Sequence, residues 1–450
     1  MTPDTIAAVA SPFGEGAIAM LRVSGPAALE VAGRVCQPTR GGELAALPPR
    51  RLRRARLLSP DGATLDDAVV SVHRAPASYT GEDLVEITCH GGILVTRRVL
   101  DALLAAGARA AEPGEFTQRA FLNGKMDLTQ AEAVMDLISA QTDLALRAAH
   151  EQLAGRLGQR VHTLREDLLG LVAHVEAYID FPDEDIDPDT GAALLARFDA
   201  GLTTLDALLA TAGQGRVLRE GVRTVIYGPP NVGKSSLLNA LVGHERAIVS
   251  PVPGTTRDTV EEFINVRGLP LRLIDTAGLR DTADPVENAG IARTRDTLAR
   301  ADLALRVADA SQPSPDDGVP PLPAAAEILV LNKTDLEVSP GWSAHPAAVR
   351  VSCRTGEGLD ALAAAIYERV AGGQIAWNPS AAAINARHQR CLARARESLS
   401  TARNAMAAGM SPEFVALDLR AALDAVGEVV GGVDTEEILG KIFSAFCIGK

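Results

Sequence analysis

An apolar run, Val222-Arg223-Thr224-Val225-Ile226-Tyr227, leads directly into Gly228-Pro229-Pro230-Asn231-Val232-Gly233-Lys234-Ser235. Ser236-Leu237-Leu238-Asn239-Ala240-Leu241 then continues with helical spacing. The octet fits G-x-x-x-x-G-K-[ST] in the strand–loop–helix setting that a phosphate-binding loop requires. This feature constrains the fold more than any other. Such a loop works only where backbone N–H groups converge at a helix N-terminus fed by a strand, so the stretch must be βα-wound. Glycine permits the tight turn. Asn231, Val232 and Gly233 are expected to line the phosphates, with Ser236 beside them. Lys234 is expected to reach the β- and γ-phosphates, and the Ser235 hydroxyl to bind Mg²⁺.

Further pieces follow in order, each at the end of an apolar run. Leu271-Arg272-Leu273-Ile274 ends at Asp275-Thr276-Ala277-Gly278. Asp275 can hold Mg²⁺ through water, and the Gly278 amide can touch the γ-phosphate. Glu327-Ile328-Leu329-Val330-Leu331 ends at Asn332-Lys333-Thr334-Asp335. A carboxylate there accepts both hydrogen bonds from a guanine edge, which adenine cannot supply, and so selects GTP over ATP. Arg350-Val351-Ser352-Cys353 ends the next strand and offers a contact to guanine O6. GTPases usually carry Ser-Ala there; Cys353 replaces the alanine and keeps the backbone donor. Leu279 follows Gly278, where Ras-type enzymes place a water-orienting glutamine. Leucine cannot orient water, so another group must.

At 450 residues the chain has room for about three domains. Residues 1–120 read as α/β, with strands at 17–23, 68–72 and 83–88 and a turn at Pro60-Asp61-Gly62. From 121 to 215 the period is helical. Thr129 and Glu132 fit a capping box. Val134, Leu137, Ile138, Gln141, Leu144 and Ala148 then recur at three- and four-residue steps, and Leu153, Leu157, Val161, Leu164, Leu168, Leu171 and Val175 continue the stripe. Residues 216–377 are the βα-wound unit. Residues 378–450 are helical again, with Ser411-Pro412 as a helix start. Two helical stretches around an α/β unit imply one discontinuous helical domain carrying an insertion. The expected fold class is therefore multi-domain: an N-terminal α/β domain, an all-α domain, and an inserted Ras-like P-loop domain.

The formal charge of −13 excludes a wholly basic nucleic-acid coat protein, and aromatics at 3% argue against a base-stacking platform. Two arginine-rich stretches, Arg50 to Arg56 and Arg387 to Arg396, read as solvated faces, with phosphate contact as the sharper alternative. Five scattered cysteines suit free thiols in a reducing compartment. No targeting segment or apolar run of ~18 residues is present, so a cytoplasmic protein without membrane spans is expected.

The βα-wound unit resembles the translation-factor-like GTPases. The resemblance becomes specific in Asn231, Gly254-Thr255-Thr256-Arg257-Asp258 and the terminal Phe446-Cys447-Ile448-Gly449-Lys450. It extends to Leu21-Arg22-Val23-Ser24-Gly25, Tyr79-Thr80-Gly81-Glu82-Asp83, Gly114-Glu115-Phe116-Thr117 and Asn123-Gly124-Lys125-Met126-Asp127-Leu128. The whole chain is thus similar to the MnmE (TrmE) family of tRNA-modifying GTPases. That resemblance implies an N-terminal domain that dimerises and binds 5-formyl- or methylene-tetrahydrofolate. It implies a homodimer working with the FAD-dependent flavoprotein MnmG (GidA) in a heterotetramer-type complex. The product would be a carboxymethylaminomethyl-type group on carbon 5 of the tRNA wobble uridine. By the same resemblance, Asn231, Ser250, Val252 and Thr255 hold K⁺, and Thr256 joins Ser235 on Mg²⁺. Glu287 orients the attacking water, with Pro285 a local departure. Arg22, Glu82, Lys125 and Lys450 bind folate. The alternative is a GTPase switch in ribosome or RNA assembly without one-carbon chemistry.

Overall fold

The computed structural model describes residues 4–40, 42–180, 191–244, 262–274, 301–313, 326–372, 383–432 and 436–450. They form two compact units, Met1–Met135 with Val430–Lys450, and Asp136–Val429. The stretch 378–450, read above as one helical segment, is therefore divided between the units.

The first unit is built on seven strands: β1 Ile6–Val9, β2 Ile18–Ser24, β3 Cys36–Pro38, β4 Arg53–Leu58, β5 Thr64–His73, β6 Leu84–His90 and β7 Arg109–Ala110. Their order is β3-β4-β5-β6-β2-β1-β7. The β1/β7 pair is parallel and the other neighbours are antiparallel. Alternate residues point to one face, where Leu21, Val23, Leu57, Val70, Val72, Val85 and Ile87 are buried. Helices α1 (Ala28–Val35) and α2 (Ile93–Ala105) supply Val31, Val99 and Leu103 to that core. The turn expected at Pro60-Asp61-Gly62 is present: Ser59 N–H donates to the Ala63 carbonyl, and Gly62 takes φ +82°.

Helices α3 (Glu115–Leu122) and α4 (Leu128–Ser139) follow. The capping box of α4 lies two residues earlier than expected. Asp127 accepts from the Gln130 N–H at 2.9 Å, and the Gln130 side chain accepts from the Asp127 N–H at 3.0 Å. Thr129, buried in the first turn, donates its hydroxyl to Asp127 at 2.6 Å. The carboxylate of Asp127 is placed before the first helical residue, so it takes the cap and the hydroxyl serves it. The final segment packs in the same unit. Pro113 bridges to Ile448, and the Phe116 N–H donates to the Lys450 carbonyl at 3.2 Å. A Cβ on Gly449 would meet the Val9 carbonyl oxygen at 2.2 Å, so only glycine passes there.

The second unit takes in the end of α4 and then α5 (Asp143–Leu153), α6 (Arg156–Asp180), α7 (Gly191–Leu209) and α8 (Ala212–Glu220). The stripe expected from Val134 onward is divided among three helices. Helix α4 ends at Ser139, Ile138 is exposed, and Thr142 caps α5 by accepting from the Ala145 N–H at 3.2 Å. Gly155 (φ +85°) separates α5 from α6. The later part of the stripe is a buried seam on α6 from Leu157 through Val175.

The second sheet contains β8 (Val222–Tyr227), β9 (Glu262–Val266), β10 (Leu269–Leu273), β11 (Leu303–Asp309), β12 (Ala326–Asn332) and β13 (Val349–Arg350), in the order β13-β12-β11-β8-β10-β9. Only β9 runs antiparallel to its neighbour. Helix α9 (Lys234–His244) follows β8 and α10 (Leu359–Ala371) follows β13. The fold class is as read: α/β sheets with an all-α part, the second sheet Ras-like and mainly parallel with β8 inside it. Helices α11 (Ala386–Ala407) and α12 (Pro412–Val430) complete the unit, α12 starting at Pro412 as expected. The arginine face of α11 is largely paired within the unit. Arg394 meets Glu428, Arg396 meets Asp206, and Arg387 donates to the Glu428 and Val429 carbonyls. That face thus carries cross-links within the unit, a role its sequence reading did not include. Among the described residues, no helix is long and apolar enough to cross a membrane.

Asp302, at the head of β11, joins α8 to the sheet. Its carboxylate accepts from Arg216 at 3.0 Å and from the Arg223 backbone N–H at 3.0 Å. Burial alone would raise its pKa, but hydrogen bonds from Arg223 and Arg216 outweigh burial and hold it below 3.8. A lowered folded-state pKa stabilises the fold above the unfolded value and is lost as pH falls through the folded one. Asp302→Ala is therefore expected to lower stability by about 2 kcal/mol at pH 7, with the difference shrinking below about pH 4. Denaturant unfolding at both pH values tests this, and a difference independent of pH would contradict it.

Candidate nucleotide-binding site

Strand β8 lies between β10 and β11, and the loop after it is held by backbone geometry that side chains cannot share. Gly228 has φ +149°, and a Cβ there would stand 2.2 Å from the Val307 carbonyl oxygen. Gly233 has φ +96°, and its Cβ would stand 2.2 Å from Asn332 Nδ2. Asn231 is also left-handed, at φ +63°. The chain then enters α9, with the Leu237 N–H donating to the Gly233 carbonyl at 2.9 Å. Asn231, Ser235 and Ser236 are exposed, while Val232 is buried. Lys234 Nζ donates to the carbonyls of Gly228 (3.0 Å) and Pro229 (2.8 Å), and burial lowers its pKa. An ammonium folded over a glycine loop at a helix N-terminus suits a polyphosphate, to which both the amides and the lysine can donate.

The ends of β12 and β13 stand beside this loop. Asn332 is 2% exposed and does not reach outward. Its Nδ2 donates to the Val232 carbonyl at 2.9 Å, and its Oδ1 accepts from the Cys353 N–H at 3.2 Å. It therefore ties the phosphate loop to the loop after β13. Asp335 is held by the Ser352 hydroxyl at 2.7 Å and by Arg354 at 2.8 Å, which keep its carboxyl below the usual range. An anchored carboxylate can accept two parallel N–H bonds of the kind a guanine edge presents. Burial, reinforced by Asp335, pushes the Cys353 thiol up to about 11, so it stays neutral. Lys333, at φ +65°, donates from Nζ to the Asn231 carbonyl at 2.9 Å and pairs with Asp309 at 2.6 Å.

Sequence reasoning missed Asp309 and Arg354. Asp309 closes β11 level with Asn332, and a polar residue ending an apolar strand beside the lysine motif was the available signal. Ser250, Val252, Thr255, Thr256, Asp275, Thr276, Ala277, Gly278 and Glu287 lie outside the described residues. Of the residues expected to hold K⁺ and Mg²⁺, the described ones are thus Asn231 and Ser235. Both stand at the solvent side of the loop and offer oxygen donors, the ligand type hard cations take.

In the first unit the four folate candidates divide into groups. Arg22 pairs with Glu86 at 3.0 Å and lies 5.3 Å over the Tyr79 ring. Burial, and then the nearby Arg22, hold the Lys450 ammonium below its ordinary pKa. Glu82 instead accepts from Ser24 Oγ at 2.8 Å and from Arg119 at 3.2 Å. Lys125 Nζ donates to the Pro76 carbonyl at 3.0 Å, and its side chain passes beside Gly81. Arg119 and Glu86 were not singled out from sequence, and Ser24 and Tyr79 entered only within the motifs that carry the resemblance. Arg119 stands one helical turn after Glu115, which it also pairs at 2.9 Å, and that spacing was the clue.

Comparison with known proteins covers nearly the whole chain. A family model described as "MnmE helical domain" matches residues 128–447, and one described as "GTP-binding protein TrmE N-terminus" matches residues 5–125. A protein of Akkermansia muciniphila named tRNA modification GTPase MnmE is 54% identical over 99% of this chain and 99% of its own length. Proteins of the same name from Chloroflexus aurantiacus (99% of this chain) and Symbiobacterium thermophilum (100%) are each 48% identical, over 100% of their own length. With family models matching residues 5–125 and 128–447 and relatives 48–54% identical over at least 99% of the chain, the chain belongs to the MnmE (TrmE) family.

Proposed function

We propose that this chain is a tRNA modification GTPase: it binds GTP at the loop after β8 and hydrolyses it to GDP and phosphate in the service of tRNA modification. The observation that carries the reading is Asn332, which joins the phosphate loop through Val232 to the loop of Cys353. That bond sets the phosphate-binding and base-reading elements at a fixed separation, which suits one purine nucleotide lying across both. Lys234 neutralises the β- and γ-phosphates, Ser235 with Thr256 and Asp275 holds Mg²⁺, and Asp335 with Ser352 and Cys353 reads guanine. Asn231 with Ser250, Val252 and Thr255 holds K⁺, and Glu287 orients the water. Mg²⁺ and K⁺ supply positive charge where the transferred phosphoryl group is negative.

The finer reading follows the family resemblance. The chain is a cytoplasmic homodimer. Its segments are an N-terminal domain at 1–120, a helical domain from 121–215 and 378–450, and a G domain at 216–377. With Arg22, Glu82, Lys125 and Lys450 it binds 5-formyl- or methylene-tetrahydrofolate as one-carbon donor. Arg22 and Lys450 suit the acidic glutamyl tail or a dimer neighbour, and Glu82, anchored by Ser24 and Arg119, accepts from the pterin. With the flavoprotein MnmG (GidA) it builds a carboxymethylaminomethyl-type group on the wobble uridine. Mass spectrometry of wobble uridines from a deletion strain tests this part, and unchanged nucleosides would reject it in favour of an assembly switch.

Base choice tests the GTP site itself. Asp335→Asn is expected to weaken GTP binding by about 10- to 100-fold and to admit xanthosine triphosphate, whose 2-oxo group needs a donor. Titration with both nucleotides measures it. An unchanged preference would remove Asp335 from the site.

A further inference from the structure

We infer that Asp309 is a positioning residue of the nucleotide site: it holds Lys333 against the backbone of the phosphate loop, so that the base-side and phosphate-side loops retain nucleotide together. The inference rests on the guanine-nucleotide reading above and adds a residue that reading does not contain.

Strand β11 lies between β8 and β12 in the sheet. Its last residue, Asp309, is therefore set between the phosphate loop after β8 and the Lys333 loop after β12, in register with Asn332. The Asp309 side chain is 12% exposed and both its oxygens are engaged. Oδ1 accepts from the Ser311 N–H at 3.0 Å and the Ser311 hydroxyl at 2.7 Å. Oδ2 takes the Lys333 ammonium at 2.6 Å. Ser311 thus fixes the carboxylate, and the carboxylate fixes the lysine. From that position Nζ donates to the Asn231 carbonyl at 2.9 Å.

The backbone at both ends of this bond is unusual. Among the described residues, four that are not glycine take positive φ: Arg50, Asn231, Arg267 and Lys333. Two of the four are joined here. A lysine in the left-handed region is held there against its own preference. The chain Ser311–Asp309–Lys333–Asn231 supplies charge-assisted hydrogen bonds that hold it. Asn332 ties the same two loops through Val232, but with a neutral amide. Asp309 is the charged half of the tie. When it is removed, Lys333 keeps its reach but loses the group that aims it, and the Asn231 turn loses its brace.

The experiment is GDP release from the full chain, followed with a fluorescent GDP analogue chased by unlabelled GDP. Asp309→Asn keeps the side-chain volume and removes the charge. It is expected to speed release by about 10-fold. In a Lys333→Met background the same change is expected to add less than about 2-fold, because its effect passes through the ammonium. Equal acceleration in both backgrounds would overturn the inference, since a merely structural role of Asp309 does not need Lys333. Wild-type release from Asp309→Asn would overturn it as well. Should Asp309→Asn fail to fold, Ser311→Ala leaves the charge and the backbone N–H bond to Oδ1 and removes only the hydroxyl bond. It is expected to speed release by about 3-fold, again only when Lys333 is present. A wild-type chain that binds no guanine nucleotide would instead overturn the function proposed above, so the two failures are separable.

Discussion

Gly233→Ala is expected to lower GTP and GDP affinity by about 100-fold while leaving the fold intact. Gly233 sits at φ +96°, a conformation that costs an L-residue about 1–2 kcal/mol. The added methyl group would also stand 2.2 Å from Asn332 Nδ2. Relief requires Asn332 to move, and Asn332 is buried and holds both Val232 and Cys353. Losing those neutral hydrogen bonds costs about 1 kcal/mol each. The sum, about 3 kcal/mol, corresponds to roughly 100-fold in affinity if the loop relaxes by giving up its phosphate-binding shape. Titration with a fluorescent nucleotide measures the loss, and circular dichroism melting shows whether the chain still folds. A folded variant with affinity within about threefold of the wild type would mean that the loop does not bind phosphate in the form described.

The second large effect concerns turnover rather than binding. Glu287→Ala is expected to lower GTP hydrolysis by about 100-fold or more with nucleotide affinity unchanged. Leu279 stands where other GTPases orient water with glutamine, so a different group must do it. Charge also builds on the phosphoryl oxygens during transfer and is met by cations placed beforehand. Under the proposed function Glu287 orients the water, and Asn231 with Ser250, Val252 and Thr255 places K⁺. An interaction made only during transfer lowers kcat and leaves ground-state binding alone. Single-turnover rates in K⁺ and in Na⁺ at equal ionic strength, over a range of protein concentration, separate the roles. Wild-type turnover should require K⁺ and rise with dimerisation. Glu287→Ala should be slow in either salt, and Asn231→Ala should lose the K⁺ response. Weak GTP binding with normal turnover in Glu287→Ala would contradict its role, and equal wild-type rates in both salts would end the K⁺ assignment.

Much of the second sheet was legible because its signals are local. A phosphate loop needs glycine at fixed offsets, a strand before it and a helix after it, all within about twenty residues. The strands at 222–227, 271–274 and 327–331 are rich in apolar residues because a parallel sheet is covered on both faces. The helical stripe of α6 was legible for a similar reason, since one buried face repeats at the helical period. Where two local signals competed, the reading slipped. Thr129 with Glu132 and Asp127 with Gln130 both fit a capping pattern, and only the position of the first helical residue chooses between them. The stripe from Val134 to Ala148 kept its period across a break, because apolar spacing does not record the capping threonine that starts a new helix at Asp143.

The sequence by itself determined the elements whose causes lie within one or two helical turns. These are the phosphate loop, the strands that feed it and the long buried seam. Only the tertiary structure decided what the site residues touch. Asn332 turns inward to join two loops; Asp309 reaches Lys333 across neighbouring strands; Glu82 is held by Arg119 and Ser24, while Arg22 stands with Glu86 and Lys450. The physical reason is separation along the chain. Glu82 and Arg119 are 37 residues apart, and Asp309 and Lys333 are 24 apart. Strand order and register bring such pairs together, and many pairings are compatible with the same alternation of apolar residues until burial of one sheet face selects the register.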